Sequence, residues 1–169
     1  MNFISDAVSD VASGKNPAEE ALRRKKAEAL EQVRVCRTAK DAVTEAIEEA
    51  LKALNSCSMC LGIPACFNFM KEQTIGPKLE EIRAKYEEFK PTVDDIQKVY
   101  EWPVLRQILR HNHEAQELVD TIFDAKKACE KAIDPDIDKE ELQGALEVAL
   151  EVLGERSNEH FDKVEGLLE

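Results

Sequence analysis

The sequence predicts an all-α fold: an antiparallel bundle of four long helices, a short N-terminal amphipathic helix, and an apolar, cysteine-rich connection after the first long helix. Three observations lead there. Ala, Glu, Leu and Lys dominate a chain holding only six Gly and six Pro, a composition of long helices rather than turn-rich sheets. Apolar residues recur at spacings of three and four along most of the chain, and the period-2 alternation of half-buried strands is absent. Helix breakers gather at a few points, chiefly Asn16-Pro17, Trp102-Pro103 and Asp134-Pro135.

Residues 1–14 read as a separate amphipathic helix. Phe3, Ile4, Ala7, Val8, Val11 and Ala12 share one face, with Asp6 and Asp10 on the other. The remainder, 15–169, reads as a single helical-bundle domain. Its first long helix opens at Asn16-Pro17, with Asn as N-cap, Pro at N1 and Glu19 at N3. Nothing breaks it before Ser56, so about forty residues make a rod of about 60 Å. Val33, Cys36, Val43, Ile47, Ala50 and Leu54 form a heptad-like seam, with Lys40 in the intervening slot.

The second series is Ile75, Leu79, Ile82, Tyr86, Phe89, Val93, Ile96 and Tyr100. Its phase runs through Pro91, which predicts one kinked element, with Thr92 and Asp95 able to restart the helix by capping. At Trp102-Pro103 the phase jumps to Leu105, Ile108, Asn112, Ala115, Val119, Ile122, Lys126, Cys129 and Ile133, a third helix returning the other way. The fourth starts at Asp138, capped with Glu141, and carries Leu142, Leu146, Ala149, Leu153, His160, Val164 and Leu167.

Charge narrows the partners. The net charge is −12, whereas nucleic-acid binding needs a concentrated positive surface. From Ala132 to Glu169 there are twelve acids and three bases, so most of the imbalance lies in the last quarter. Anything that docks there is expected to be basic. The opening residues lack the basic n-region and apolar h-region of a signal peptide. With an odd number of cysteines, five, this points to reduced thiols and the cytoplasm, with peripheral membrane attachment as the alternative.

The familiar chemistries are not indicated. Di-iron bundles need Glu three residues before an inward His, but Ile108 precedes His111, Arg110 precedes His113 and Ser157 precedes His160. His113 and Glu117 are one turn apart and could share a metal, although such pairs on helix surfaces are common accidents. His111 lies beside the third seam and His160 within the fourth, as core-edge histidines. Asp134, Asp136 and Asp138 alternate as in a calcium loop, yet Lys139 and Ala145 replace the required Gly and Glu, so they read as a helix start. Cys57, Cys60 and Cys66 supply half of a zinc pattern without the second pair. The expectation is a non-enzymatic protein with no cofactor, no metal and no catalytic residue.

The stretch Cys57–Met70 stands apart, because no charge falls between Lys52 and Lys71. Met59, Leu61, Ile63, Phe67, Phe69 and Met70 together forfeit on the order of 10 kcal/mol if left in water. Something must cover them: the bundle itself, a partner or second copy, or lipid. The uncharged run of 18 residues from Ala53 contains Asn, Ser, Gly and Pro, which suits a tip better than a span. The layout of helix, apolar cysteine-rich linker and helix resembles membrane-attached helical proteins and helical pore-forming toxins in arrangement only.

The expected function is therefore interaction, within a larger assembly or a homo-oligomer. Its contact residues are Phe3, Ile4, Val8, Val11, Met59, Leu61, Ile63, Phe67, Phe69 and Met70, and Cys57, Cys60 and Cys66 are candidates for thiol modification. The alternatives are a membrane-associating protein inserting the 57–70 tip, and a carrier of an apolar small molecule between helices.

Overall fold

The computed structural model describes residues 16–56, 64–109 and 112–169. Among them the chain is all-helical without strands, and five helices pack against one another. In order they are α1 (Pro17–Asn55), the short α2 (Pro64–Met70), a π-helical turn (Lys71–Ile75) and α3 (Gly76–Tyr100). A 3-10 turn (Pro103–Leu105), the single-turn α4 (Arg106–Leu109), α5 (His113–Ala132), α6 (Lys139–Leu153) and α7 (Glu155–Leu168) follow. The expected helix over 1–14 lies outside the described residues.

α1 forms as its sequence directs. The Asn16 side chain accepts from the Ala18 amide at 2.9 Å, and Pro17 occupies the first turn, where its missing N–H costs nothing. Every residue of the expected seam, from Val33 to Leu54 and including Lys40, is buried. α3 runs back along it: Lys78 reaches Glu49 near one end, and Lys25 sits 4.7 Å above the Trp102 ring at the other.

All eight residues of the second seam are buried as well, but the helix is not restarted at Thr92. α3 passes through Pro91 uninterrupted, and the Thr92 hydroxyl donates to the Phe89 carbonyl at 2.5 Å instead of capping a new helix. Pro91 is exposed, so the carbonyl it leaves without an N–H can turn to water. The π turn has a similar origin. Pro77 cannot bond the Gln73 carbonyl and its ring crowds it, and a widened turn accommodates both.

The last two elements depart from expectation. Asn112 is not a seam residue of a continuous third helix but the N-cap of α5, accepting from the Glu114 and Ala115 amides at 2.9 and 3.2 Å. The buried face of α5 then runs through Leu118 and Ala125 rather than Val119 and Lys126. The fourth helix is broken at Gly154 into α6 and α7. A Cβ there would lie 2.9 Å from the Leu150 carbonyl oxygen, a contact only glycine avoids. Ser157 caps the break by donating to the Leu153 carbonyl at 2.6 Å. The seam resumes through His160, Phe161 and Val164 and ends on Leu168 rather than Leu167.

α5 lies beside α3 and runs opposite to it, since Tyr86 bonds Glu130 and Tyr100 bonds the Ala115 carbonyl. α7 lies against α1, where Arg37 binds Asp162 at 2.7 Å and Glu165 at 2.8 Å. Burial opposes the Arg37 charge, but the two carboxylates outweigh that and raise its pKa. One apolar cluster runs through all five helices.

Candidate functional site

Three features stand out on this scaffold: an apolar tip, an acidic groove and a histidine–carboxylate cluster. The tip is α2. Phe69 is 62% exposed there, the most open large apolar side chain among the described residues. Its neighbours Asn68 and Ala65 are exposed too, whereas Ile75, a π turn further on, is fully buried. The core therefore closes at Ile75 and leaves Phe69 outside it.

Of the residues expected to make contacts, Phe3, Ile4, Val8, Val11, Met59, Leu61 and Ile63 lie outside the described residues. So do Cys57 and Cys60, and the side chains of Phe67 and Met70. Cys66 is disulfide-bonded, which corrects the expectation that all thiols are reduced. Cys36 and Cys129 are free and buried. Burial pushes both thiols up to about 12, with the nearby Glu130 charge adding to the effect at Cys129. Thiols so placed are inert in the folded protein.

The groove, about 630 Å³, lies between the second half of α1 and the α6–α7 break. Asp41, Glu45, Glu48 and Glu49 line one wall, and Glu155 and Asn158 the other. The cations on its walls are Lys40 and Lys52, and both are committed. Lys40 is 1% exposed, its Nζ 2.5 Å from both Asn158 Oδ1 and Asp41 Oδ1 and 5.8 Å from the Phe161 ring. Lys52 is 3.7 Å from Glu49. The potential in the groove is negative, and partial enclosure strengthens it over an open surface.

Groove and tip lie toward the same end of α1. Glu49 lies 3.9 Å from Lys78, in the first turn of α3, and Phe69 is nine residues earlier on the same helical run, about 14 Å away along its axis. The break at Gly154 shapes the opposite wall, because it sets Glu155 and Asn158 beside Lys40. Sequence reasoning marked the last quarter as acidic but could not pair it with residues 41–49.

The third feature is on the α5–α7 seam. His160, 7% exposed, has its Nε2 3.5 Å from Glu117 Oε2 and its Nδ1 3.9 Å from Glu114 Oε2. Lys163 reaches Glu114 at 3.2 Å and Glu159 at 3.3 Å, and hydrogen bonds to these two carboxylates raise its pKa. The exposed His113 approaches Glu117 Oε1 at 2.6 Å. His113 and Glu117, one turn apart on α5, are thus in contact, and His160 approaches the same carboxylate from another helix. His111 lies outside the described residues.

Compared with protein-family models, curated proteins and solved structures, the chain matches none. Among the described residues no helix is long and apolar enough to cross a membrane.

Proposed function

We propose that the protein is a non-enzymatic helical module that works inside a larger assembly by holding a basic, amphipathic segment of a protein partner. The long helices would form an antiparallel bundle of four rods, α6 and α7 counting as one broken rod. The observation that carries the reading is the acidic groove, with an exposed apolar tip toward the same end of α1. Lysines or arginines of the partner would face Asp41, Glu45, Glu48 and Glu49, and an apolar anchor would cover Phe69. Apolar contact supplies most of the affinity in such an arrangement, and the charges supply orientation and speed of encounter.

The alternatives fit the charge less well. A second copy would bring another −12 to the interface, and anionic lipid would face the same carboxylates. An apolar cargo would find a groove walled by carboxylates rather than by hydrocarbon.

The test uses a synthetic amphipathic peptide with Lys on one face and Leu on the other, titrated into the full chain and into Phe69→Ser. Salt-sensitive binding that weakens in Phe69→Ser supports the reading. No binding, together with concentration-dependent self-association or with flotation on neutral or anionic vesicles, overturns it in favour of a homo-oligomer or a lipid-seeking tip.

A further inference from the structure

We infer that Glu114, Glu117 and His160 form a binding site for a divalent transition-metal ion, of the zinc class, that pins α7 to α5. The three side chains offer ligand atoms that all lie within 4.8 Å of one another. Carboxylate clusters of this kind are common, and this one is distinguished by its histidine. The His160 side chain is 9% exposed, and its Nδ1 is buried with no hydrogen-bond partner. The Glu114 oxygen it faces is 3.9 Å away, beyond hydrogen-bonding reach. A buried imidazole nitrogen is costly to leave unsatisfied. A metal removes that cost.

The spacing suits an ion. Bonds of about 2.1 Å in tetrahedral array hold ligand atoms about 3.4 Å apart. The ligand atoms that the three side chains offer, one from each, lie within 4.8 Å of one another, so side-chain adjustments of about 1 Å bring them to that spacing. With Nδ1 on the ion, Nε2 donates its N–H to an oxygen outside the coordination sphere, as metal-bound histidines commonly do. His113, 80% exposed and already 2.6 Å from Glu117, can swing in as a fourth ligand.

The donor set selects the metal. Calcium and magnesium take oxygen ligands in larger number, whereas imidazole mixed with carboxylate suits zinc, cobalt or nickel. Lys163 is the competitor, since its ammonium lies 3.2 Å from Glu114. It has a second partner in Glu159 at 3.3 Å, so giving up Glu114 leaves it paired.

Cobalt(II) reports the site directly, because its visible d–d bands reveal coordination number and ligand type. The chelator-treated chain titrated with cobalt chloride is expected to develop tetrahedral-type bands at one ion per chain, with zinc displacing the cobalt. Glu117→Gln should weaken binding by about 100-fold, comparable with the loss of a strong supporting contact elsewhere. Lys163→Met should tighten it several-fold by removing the competing cation, a gain that a purely structural role for the cluster would not produce. Two results overturn the inference: bands absent, or unchanged in Glu117→Gln. A third does so as well, namely intense thiolate-to-cobalt charge-transfer absorption, which would place the ion on cysteine sulfur instead. Circular dichroism of each variant separates loss of ligand from loss of fold, and Glu117, partly exposed, can be changed without opening the core.

Discussion

Lys40 is the sharpest test of how the α1 seam is packed. Its side chain crosses the core to reach Asn158, with Asp41 beside it and the Phe161 ring 5.8 Å from the ammonium. Two substitutions separate stem from charge. Lys40→Ala removes three buried methylenes, worth about 2.4 kcal/mol, and takes the donor from Asn158 Oδ1 at a further cost of about 1 kcal/mol. The sum, about 3–4 kcal/mol, lowers the melting temperature by about 10 °C in a domain of this size. Lys40→Met keeps the stem and removes the ammonium. It too takes the donor from Asn158 Oδ1, but Asp41 is 60% exposed and turns to water, and burying thioether instead of ammonium recovers desolvation, so the variant should lie within about 1 kcal/mol of wild type. Urea denaturation followed by circular dichroism reads both. If Lys40→Met falls as far as Lys40→Ala, the charge and not the stem holds the seam, and the reasoning fails. If neither falls, the slot is not packed.

Three further outcomes follow from the same contacts. Because Cys36 and Cys129 stay protonated in the folded chain up to about 12, the unfolded state alone releases their protons above the ordinary value of 9.0. The thiols' contribution to stability therefore declines as pH rises from about 9, by about 1.4 kcal/mol per thiol per pH unit, and levels off near 12. Urea melts at about pH 8 and 10 should show that loss shrink in Cys36→Ala/Cys129→Ala; an unchanged alkaline slope would contradict it. Gly154→Ala forces a methyl to 2.9 Å from the Leu150 carbonyl and should cost about 1–3 kcal/mol, whereas Gly144→Ala, with open space around it, should stabilise α6 by up to about 1 kcal/mol. Arg37→Ala loses two charge-assisted bonds to α7 and should cost about 1–2 kcal/mol, while Arg34→Ala, whose 3.6 Å pair with Glu169 is exposed on both sides, should change nothing measurable.

How far the sequence carried these conclusions varied by element, for physical reasons. The buried seams of α1 and α3 were legible residue by residue, because one stripe of each faces the core and repeats every three and four positions, whereas the unbroken passage of α3 through Pro91 and the π turn before it were not. Even Lys40 was placed by its slot in the seam rather than by its chemistry. α5 was misphased because Asn112 occupies a position that spacing alone would accept, while its side chain acts as a cap. The signal was present in Asn112-His113-Glu114, a cap followed by an acid in the first turn. Gly154 gave no warning, since the apolar period runs across it and the break depends on a backbone approach no pattern reports.

The sites were less legible than the fold. His160 was expected in a seam and is there, but its partners are Glu114 and Glu117, more than forty residues earlier. The groove likewise joins residues 41–49 to 155–158, a pairing set by how helices pack and not by local spacing. The tip was visible as an uncharged run. That Phe69 stays outside the core while Ile75 enters it is a tertiary fact.

The central claim, that the acidic groove recognises a basic segment, is tested most directly by placing equal charge changes in two locations. One variant neutralises the groove with Glu45→Gln, Glu48→Gln and Glu49→Gln. The other removes the same charge from exposed positions on α3, with Glu87→Gln, Glu88→Gln and Asp94→Asn. A labelled Lys/Leu amphipathic peptide is titrated into each at physiological salt. The account predicts a loss of about tenfold or more for the groove variant, about 1.4 kcal/mol, and little change for the α3 variant. Equal losses would mean that the peptide senses only net charge, and the groove would not be a recognition site.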